Sequence, residues 1–383
     1  MTHRSEAESF HLHRGLNVQQ GHATLIGILN MSVKLLHSGR VWPTVVDVFA
    51  GCGGVTEGLK RRNFRIVAAV ENDPIVCQTY RLNHPRVHLL EKNVEKVSVT
   101  GIRREVLGDR DVDLLVVCAP CQPFSSQNRA RSIDPRADLI LQSVRFARIL
   151  KPKVILFENV PGLARIKFLS ILDQLRQGLG KCGYVLGEPQ EVDAADYGVP
   201  QRRIRCLMLA VKGGMPPSIP APHTPVGYRQ TVRDAFKGLT SLMSGENDEC
   251  DRLHFARSHK SIALQRLKHI PKDGGSRKSL PTRLELPCHR DRRGYPDVYG
   301  RMSWSKVAPT LTTGCTDITK GRFVHPSDDR AISLREAARL QTFPDKYQFA
   351  GNHKQMAAQI GNAVPVELIK ALSPMLRAAI RSR

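Results

Sequence analysis

Acidic residues, aromatic rings and long apolar runs are scarce in this chain of 383 residues. Aspartate and glutamate number 35 against 58 lysines and arginines, so the formal net charge is +23 and an acidic, cation-binding surface is not expected. The longest apolar stretch near the N-terminus, residues 23–33, is interrupted by Asn30 and Ser32 and is too short to span a bilayer. No small-residue cleavage signal follows it, so we expect neither a membrane anchor nor a secretory leader.

The nine cysteines show no regular spacing. Without a secretory context, this pattern argues against a disulfide framework and indicates reduced thiols in the cytoplasm. Cys118 and Cys121 form a Cys-x-x-Cys pair, but no second pair of ligands completes a zinc site. We therefore predict no metal site, and we interpret Cys118, at the end of an apolar run, as a core residue.

Positive charge is concentrated in the second half of the chain. Residues 201–300 carry 19 basic and nine acidic side chains, a net charge of +10, and residues 301–383 carry a net charge of +7. This excess favours a polyanionic partner, because neutralising phosphates supplies much of the affinity for nucleic acids. Charge alone does not separate DNA from RNA.

Periodicity divides the chain into four predicted parts. Residues 1–43 lack clear periodicity and are interpreted as a poorly ordered extension. In residues 44–211 strand and helix patterns alternate, which is typical of an α/β domain with helices on both faces of a parallel sheet. Residues 212–326 are irregular, basic and rich in glycine and proline, and residues 327–383 return to helical periodicity, with Ser333 as an N-cap. The predicted strands cover residues 44–50, 65–70, 87–90, 112–118, 154–158 and 204–211, and the predicted helices cover residues 55–62, 74–83, 138–150, 168–179, 333–340 and 365–380.

The most informative stretch is Cys-Ala-Pro-Cys-Gln-Pro-Phe-Ser-Ser-Gln at residues 118–127. It directly follows an apolar run that predicts a buried strand. Open α/β sheets bind ligands beyond the carboxyl ends of their strands. Cys121, in a loop stiffened by Pro120 and Pro123, is therefore placed as a nucleophile would be.

A glycine-rich loop follows the first predicted strand. Residues 47–54, Asp-Val-Phe-Ala-Gly-Cys-Gly-Gly, open a helix whose N-terminal N–H groups and glycines let a ligand approach the backbone. The next strand ends near Glu71, about 20 residues further on, where a carboxylate would hold a ribose diol. The glycine pattern departs from the dinucleotide fingerprint, which indicates an adenosine ligand other than NAD.

Charged residues follow two later strands. Glu158 lies on the same predicted rim as Cys121, where a carboxylate can support protonation of a bound base; the alternative is a helix-capping carboxylate. Arg203 and Arg205 alternate, so they are predicted to share a face and to contact a phosphate or a base carbonyl. The alternative for the arginines is the charge pattern of an edge strand.

Together these segments resemble the DNA (cytosine-5)-methyltransferase family, from about residue 44 to the C-terminus. The resemblance is carried by the loop at 47–54, Pro-Cys-Gln at 120–122, Glu-Asn-Val at 158–160, Gln-Arg-Arg-x-Arg at 201–205, Arg301 with Ala-Pro-Thr-Leu-Thr-Thr at 308–313, the stretch from Ser333 to Pro344, and Gln-Ile-Gly-Asn-Ala-Val-Pro at 359–365. Chance agreement of seven ordered motifs is negligible.

Two positions depart from the family pattern. Cys118-Ala119 replaces the glycines that often precede Pro-Cys, and Asn93 replaces an aspartate that commonly meets the adenine amino group, although its side-chain oxygen can still accept that hydrogen bond.

The resemblance implies a Rossmann-like S-adenosylmethionine methyltransferase fold. Its mostly parallel seven-stranded sheet has one antiparallel strand, the last helix returns to the sheet, and residues 212–326 form a target-recognition domain. It implies that the Cys121 thiolate adds to carbon 6 of a flipped cytosine, that Glu158 contacts ring nitrogen 3, and that Arg203 and Arg205 stabilise the thiolate and hold the base. Contacts to S-adenosylmethionine are expected from Phe49, Gly51, Gly53, Gly54, Glu71, Asn72, Asn93, Pro120, Leu139, Asn362 and Val364. Contacts to DNA are expected from Gln122, Ser125, Arg203, Arg290, Arg292 and Arg293.

Two rival functions share these motifs. An RNA (tRNA) cytosine-5 methyltransferase would carry the same catalytic residues, but the long basic region before Arg301 favours double-stranded DNA read in the major groove. A non-catalytic DNA-binding paralogue is disfavoured because Cys121, Glu158 and Arg203 are all present. We expect a cytoplasmic, nucleoid-associated monomer, in a restriction-modification or epigenetic context, with a cognate restriction endonuclease acting independently.

Overall fold

Eight strands of the described residues form one mixed sheet. The structure, a computed structural model, describes residues 42–124, 134–286 and 297–383. Apart from residues 42 and 43, the predicted N-terminal extension lies outside them. The strands are β1 (Thr44–Val48), β2 (Arg65–Glu71), β3 (His88–Glu91), β4 (Leu114–Val117), β5 (Val154–Asn159), β6 (Tyr184–Leu186), β7 (Gln190–Asp193) and β8 (Ile204–Lys212).

Seven of these strands follow the order β3-β2-β1-β4-β5-β8-β6. Strands β1 to β5 pair in parallel, and β8 runs antiparallel to β5, β6 and β7. The predicted, mostly parallel sheet with one antiparallel strand is therefore confirmed, although it has eight strands and not seven. The residue pattern predicted neither β6 nor β7, the four-residue strand that pairs with the first half of β8.

Both faces of the sheet are covered, which explains why its central strands are apolar along their whole length. All four residues of β4 and all six of β5 are buried. Along β4, Leu114 and Val116 belong to one apolar core, whereas Leu115 and Val117 belong to the other. This alternation is expected of a parallel sheet that packs helices on each side.

Ten α-helices occur in the described residues. They are α1 (Gly54–Lys60), α2 (Pro74–Asn83), α3 (Val99–Gly101, which continues as a π-helix over Ile102–Leu107), α4 (Gln142–Leu150), α5 (Leu169–Gly180), α6 (Val232–Phe236), α7 (Ser261–His269), α8 (Leu334–Leu340), α9 (His353–Asn362) and α10 (Val366–Arg381). The predicted cap is present, because Ser333 and Glu336 form a reciprocal capping box at the start of α8. Leu368, Leu372 and Leu376 of α10 pack against the sheet, so the last helix returns to it as expected.

The irregular region after β8 builds two smaller cores. One contains Ala263 and Leu267 of α7, and the other joins Phe236 to the helices α8 and α9. Irregular backbone leaves carbonyl groups without regular partners, and buried arginines satisfy several of them. The guanidinium of Arg301, which is fully buried, donates to the carbonyls of Leu267, Ile270, His325 and Asp328. The predicted boundaries of a recognition domain at residues 212 and 326 stay a prediction.

None of the helices in the described ranges is long and apolar enough to cross a membrane.

Candidate active site

A cleft of about 550 Å³ lies beyond the carboxyl ends of β1, β2, β4 and β5. This volume falls within the range typical of small-molecule sites, about 300–1,000 Å³. The cleft lies where open α/β sheets bind their ligands. Of the predicted site residues, those that line it are Phe49, Gly51, Gly54, Glu71, Asn72, Pro120, Cys121, Gln122, Leu139, Glu158, Arg205, Asn362 and Val364.

The glycine loop between β1 and α1 lies close to other backbone. Gly53 caps α1 with a φ of 92°, a left-handed conformation that favours glycine. A Cβ at Gly54 would overlap the carbonyl oxygen of Val364. Phe49, at the other end of the loop, holds a φ of 62°, which is costly for a residue with a Cβ and typical of functional sites. The loop thus brings Val364 against the N-terminus of α1.

The carboxylate of Glu71 is held by backbone N–H groups. One oxygen accepts from Gly51 at 2.9 Å, and the other accepts from Asn72 at 2.8 Å and from Asp73 at 3.0 Å. These bonds tie the end of β2 to the glycine loop and fix the carboxylate at the cleft wall. An oriented carboxylate there can accept hydrogen bonds from the hydroxyl groups of a ribose.

Two further observations show that this half of the cleft fits an adenosine-containing cofactor. A Cβ built at Gly51 would meet no atom within 4 Å, so a ligand can reach the loop backbone. The side-chain oxygen of Gln359 is buried and has no hydrogen-bond partner, although its amide donates to Ala350 at 2.9 Å. Gln359 lines the cleft from α9, so its free acceptor suits a polar ligand group. The sequence analysis quoted Gln359 within a motif but gave it no role, although the periodicity of α9 places it one turn before Asn362.

Cys121 lies opposite a charge pair. The guanidinium of Arg205 lies 2.8 Å from the carboxylate of Glu158, and both side chains are 9% exposed. Burial raises the pKa of the Cys121 thiol above its ordinary value, and the charge of Glu158 raises it further, whereas Arg205 and Arg203 lower it. Burial outweighs the arginines, so the free protein holds Cys121 mainly as a thiol at neutral pH.

The loop that carries Cys121 is attached to the end of β5. The side-chain amide of Asn159, which is buried, donates to the carbonyl of Ala119 at 3.0 Å. The backbone N–H of Phe124 donates to the carbonyl of Cys121 at 3.1 Å and closes a tight turn. Asn159 therefore positions the nucleophile loop relative to Glu158, its neighbour in sequence. The sequence analysis quoted Asn159 within a motif but gave it no role.

Arg203 does not line the cleft. It is 2% exposed, and its guanidinium donates to the carbonyls of Leu311 at 3.1 Å, Gly361 at 3.0 Å and Ala363 at 2.9 Å. Gln201 completes this buried cluster by accepting from the backbone N–H of Leu311 at 2.9 Å. Arg203 thus joins three chain segments, whereas Arg205 faces Glu158. The two arginines were predicted to share a face, but only Arg205 lines the cleft.

The remaining predicted contacts fall into three groups. Gly53 caps α1 but does not line the cleft. Asn93 is exposed, lies off the cleft wall and accepts the backbone N–H of Glu95 at 3.0 Å, which caps a short 3₁₀ turn. Ser125, Arg290, Arg292 and Arg293 lie outside the described residues.

One basic residue of the cleft was missed. Arg136 lines it and forms an ion pair with Asp134 at 2.6 Å, and its side chain is 53% exposed. It precedes the predicted cofactor residue Leu139 on the same 3₁₀ helix, Pro135–Leu141. The spacing of three residues between them could have suggested a shared face.

The fold and the cleft define a Rossmann-like methyltransferase that binds S-adenosylmethionine, and the comparisons with known proteins specify its family. The family model for C-5 cytosine-specific DNA methylase matches residues 43–376. This chain belongs to that family and is a DNA cytosine-5 methyltransferase with S-adenosylmethionine as its cofactor.

Individual relatives align with this chain over most of their length. The Type II methylase M.HgiDII of Herpetosiphon aurantiacus is 39% identical over 340 residues, which cover 87% of this chain and 94% of that protein. The Type II methyltransferase M.XorII of Xanthomonas oryzae pv. oryzae is 32% identical over 367 residues, covering 89% and 86% of the two chains.

Solved structures share the fold. A prophage-encoded protein of E. coli, described as a DNA modification methyltransferase, superposes with a TM-score of 0.70 at 24% identity and covers 88% of this chain and 99% of that one. The Dnmt2 methyltransferase of S. pombe superposes with a TM-score of 0.57 at 20% identity, with 88% and 98% covered. These similarities support the fold alone.

Proposed function

We propose that this methyltransferase activates cytosine by a covalent bond from Cys121. Carbon 5 of cytosine is a poor nucleophile, and addition of a thiolate to carbon 6 makes it enamine-like. A thiolate suits this step because it is both a strong nucleophile and a good leaving group. The observation that carries the proposal is the arrangement of Cys121 opposite the Glu158–Arg205 pair at one end of the cofactor cleft.

Each charged side chain has a distinct role in this proposal. Glu158 hydrogen-bonds ring nitrogen 3 and supports its protonation as the sulfur–carbon 6 bond forms. Arg205 holds the carboxylate in place and lowers the pKa of Cys121. S-adenosylmethionine, when bound, would supply the methyl group that the enamine carbon 5 accepts. Only after carbon 5 carries this group can loss of its proton break the sulfur–carbon 6 bond, so that Cys121 leaves as a thiolate.

The cofactor half of the cleft is assigned to the residues that line it. Glu71 accepts hydrogen bonds from the ribose hydroxyl groups, and the glycine loop lets the ligand reach the backbone of Gly51. The other proposed contacts are Phe49, Gly54, Asn72, Pro120, Leu139, Gln359, Asn362 and Val364, all of which line the same cleft. Asn93 is not included because it lies off the wall.

Arg203 is proposed to position the site and not to touch the base. It links the segment around Leu311 to the junction of α9 and α10, where Asn362 and Val364 line the cleft. Its hydrogen bonds therefore support the wall of the cofactor site. A lysine at this position would keep the charge but lose the forked geometry that reaches several carbonyls.

The substrate is proposed to be a specific site in double-stranded DNA, read by residues 212–326. The +10 net charge of residues 201–300 supports a phosphate-lined partner. Carbon 6 is hidden within a duplex, so the target base must rotate out of the helix to reach a cleft of this kind. The Type II names of the relatives support a restriction-modification context with a separate endonuclease.

A duplex that contains 5-fluorocytosine tests the mechanism. Fluorine at carbon 5 cannot leave as the proton does, so a covalent adduct should accumulate on Cys121 and be located by mass spectrometry. An adduct on Cys118 would overturn the assignment of the nucleophile. Transfer of a labelled methyl group to tRNA in preference to DNA would overturn the proposed substrate.

A further inference from the structure

A short exposed tip, residues 164–167, follows β5 at the rim of the active site. All four of its residues are exposed. Ile166 is 87% exposed, the highest value among the large apolar side chains of the described residues. A single exposed apolar side chain is common on protein surfaces, so the position and charge of the tip decide whether Ile166 meets a partner.

Residues on both sides hold the tip next to the nucleophile loop. Gly162, before the tip, allows close approach, because a Cβ there would overlap the carbonyl oxygen of Phe124. Phe168, after the tip, packs edge-on against the ring of Phe124 with 4.7 Å between ring centroids. Phe124 belongs to the turn whose N–H is bonded to the carbonyl of Cys121. The tip therefore lies on the same edge of the sheet as Cys121.

The tip is basic, and no acidic residue lies close to it in the sequence. Arg165 and Lys167 flank Ile166, and neither takes part in an ion pair of the described residues. The ammonium of Lys167 lies 4.7 Å from the ring centroid of Phe168, which leaves its charge available to an anion. The sequence contains no aspartate or glutamate between Val160 and Leu172. An apolar side chain between two uncompensated cations fits a polyanion that also offers apolar surface.

Two occupants could cover Ile166, and charge favours one of them. Residues 125–133 follow the nucleophile loop, but they carry Arg129 and Arg131 and no acidic residue. Like charges disfavour that segment as a cover for Arg165 and Lys167. Duplex DNA offers phosphates to the cations, and its sugars and base faces offer apolar surface to the isoleucine.

We infer that this tip contacts the DNA duplex directly beside the target cytosine. Arg165 and Lys167 bind phosphates, and Ile166 packs against the nucleotide next to the gap that the flipped base leaves. Inserted apolar side chains stabilise deformed duplexes in this way. The inference rests on the proposed base-flipping function and extends it to the strand beside the target.

The experiment compares tip variants with matched variants at the opposite edge of the sheet. Leu82 is 52% exposed and lies in the last turn of α2, outside the residues proposed to read DNA. Leu82→Ser is therefore the control for Ile166→Ser. The pair Lys151→Gln with Lys181→Gln, at exposed positions before β5 and β6, is the control for Arg165→Gln with Lys167→Gln. Because all the positions are exposed, unchanged cofactor affinity serves as the check on folding.

The measurement is equilibrium binding of each variant, with cofactor present, to a plasmid that the native enzyme methylates, over a range of salt concentrations. Arg165→Gln/Lys167→Gln should weaken binding and reduce the slope of log affinity against log salt by up to about 1.8, or about 0.9 for each phosphate that the variant no longer neutralises. Ile166→Ser should weaken binding about 5- to 10-fold without changing that slope. Both controls should bind as the native protein does.

Tip variants that bind DNA as their controls do would overturn the inference, and so would a tip-dependent weakening that occurs with tRNA and not with DNA. Failure of the covalent mechanism would appear separately, as absence of the 5-fluorocytosine adduct in the native protein. Because binding is measured without turnover, the two outcomes are distinguishable.

Discussion

The cleft joins two halves that are built from different interactions. Around β4, β5 and β8 the groups that face the cleft are charged or ionisable side chains, with Glu158 and Arg205 paired at 2.8 Å beside Cys121. Around β1, β2 and α9 backbone groups shape the wall, with Gly54 against the carbonyl of Val364 and three N–H groups fixing Glu71. A side chain in the first half can be replaced while the backbone stays in place, whereas a change in the second half also alters the loop that it supports. Substitutions should therefore separate into effects on rate and effects on cofactor affinity.

The largest expected effect tests the half of the cleft around β4, β5 and β8, where substitutions should change the rate. Cys121→Ser should lower turnover by roughly three orders of magnitude or more, because a hydroxyl is a much weaker nucleophile than a thiolate. Cofactor affinity, measured by calorimetry, should change little. Cys118 was predicted as a core residue, but it follows β4, lines the cleft and interacts with Glu158. Cys118→Ala is the comparison variant and should retain more activity than Cys121→Ser, since Cys118 lies outside the Pro-Cys-Gln motif. A strong loss of cofactor affinity in Cys121→Ser would break the division between the halves.

The next largest effect tests the half of the cleft around β1, β2 and α9, where substitutions should change cofactor affinity. Glu71→Ala should raise the cofactor dissociation constant by roughly 10- to 150-fold, the value of a charge-assisted hydrogen bond of about 1.5–3 kcal/mol. DNA affinity should change much less. Glu71→Gln keeps one acceptor oxygen and should show a smaller loss. Unchanged cofactor affinity in Glu71→Ala would refute the proposed ribose contact.

The pH dependence of the thiol provides a smaller, graded effect. Because burial raises the pKa of Cys121, the thiolate is a minor form at neutral pH and its fraction grows as pH rises. Alkylation of Cys121 in the free enzyme should therefore accelerate by about tenfold per pH unit from about pH 6.5 to about pH 8.5. Peptide mapping after iodoacetamide treatment gives the rate. A rate that is already constant across this range would show that the thiol has a lowered pKa.

The smallest expected effect tests how the charge of Glu158 changes the pKa of Cys121. Glu158 raises the pKa of Cys121, so Glu158→Gln should lower that pKa and speed alkylation several-fold at neutral pH, even though methyl transfer is lost. Glu191→Gln, on an exposed position of β7, should leave the alkylation rate unchanged. Slower alkylation in Glu158→Gln would indicate that the carboxylate activates the thiol in the free enzyme.

The local sequence pattern was sufficient to predict most of the fold. The alternation of apolar strands with helices predicted the sheet, because buried parallel strands and amphipathic helices differ in period. Helix α2 was predicted with the bounds that the structure shows, since Asp73 caps it and Pro74 begins it. The strands β6 and β7 were missed because segments of three and four residues are too short to show a period. The carboxyl ends of parallel strands lie at one edge of the sheet. Glu71, Cys121 and Glu158, which follow or end such strands, therefore meet at one cleft.

The sequence alone determined the family, the cofactor and the strand ends that carry the chemistry, because each depends on short motifs whose residues are near neighbours in the chain. Tertiary structure decided where Arg203 and Gln359 lie. Alternation predicts side-chain direction only within a strand, and β8 begins at Ile204, so Arg203 is free to turn away from Arg205. Its carbonyl partners lie 108 to 160 residues further along the chain, and only the packing of the C-terminal helices brings them within hydrogen-bond distance.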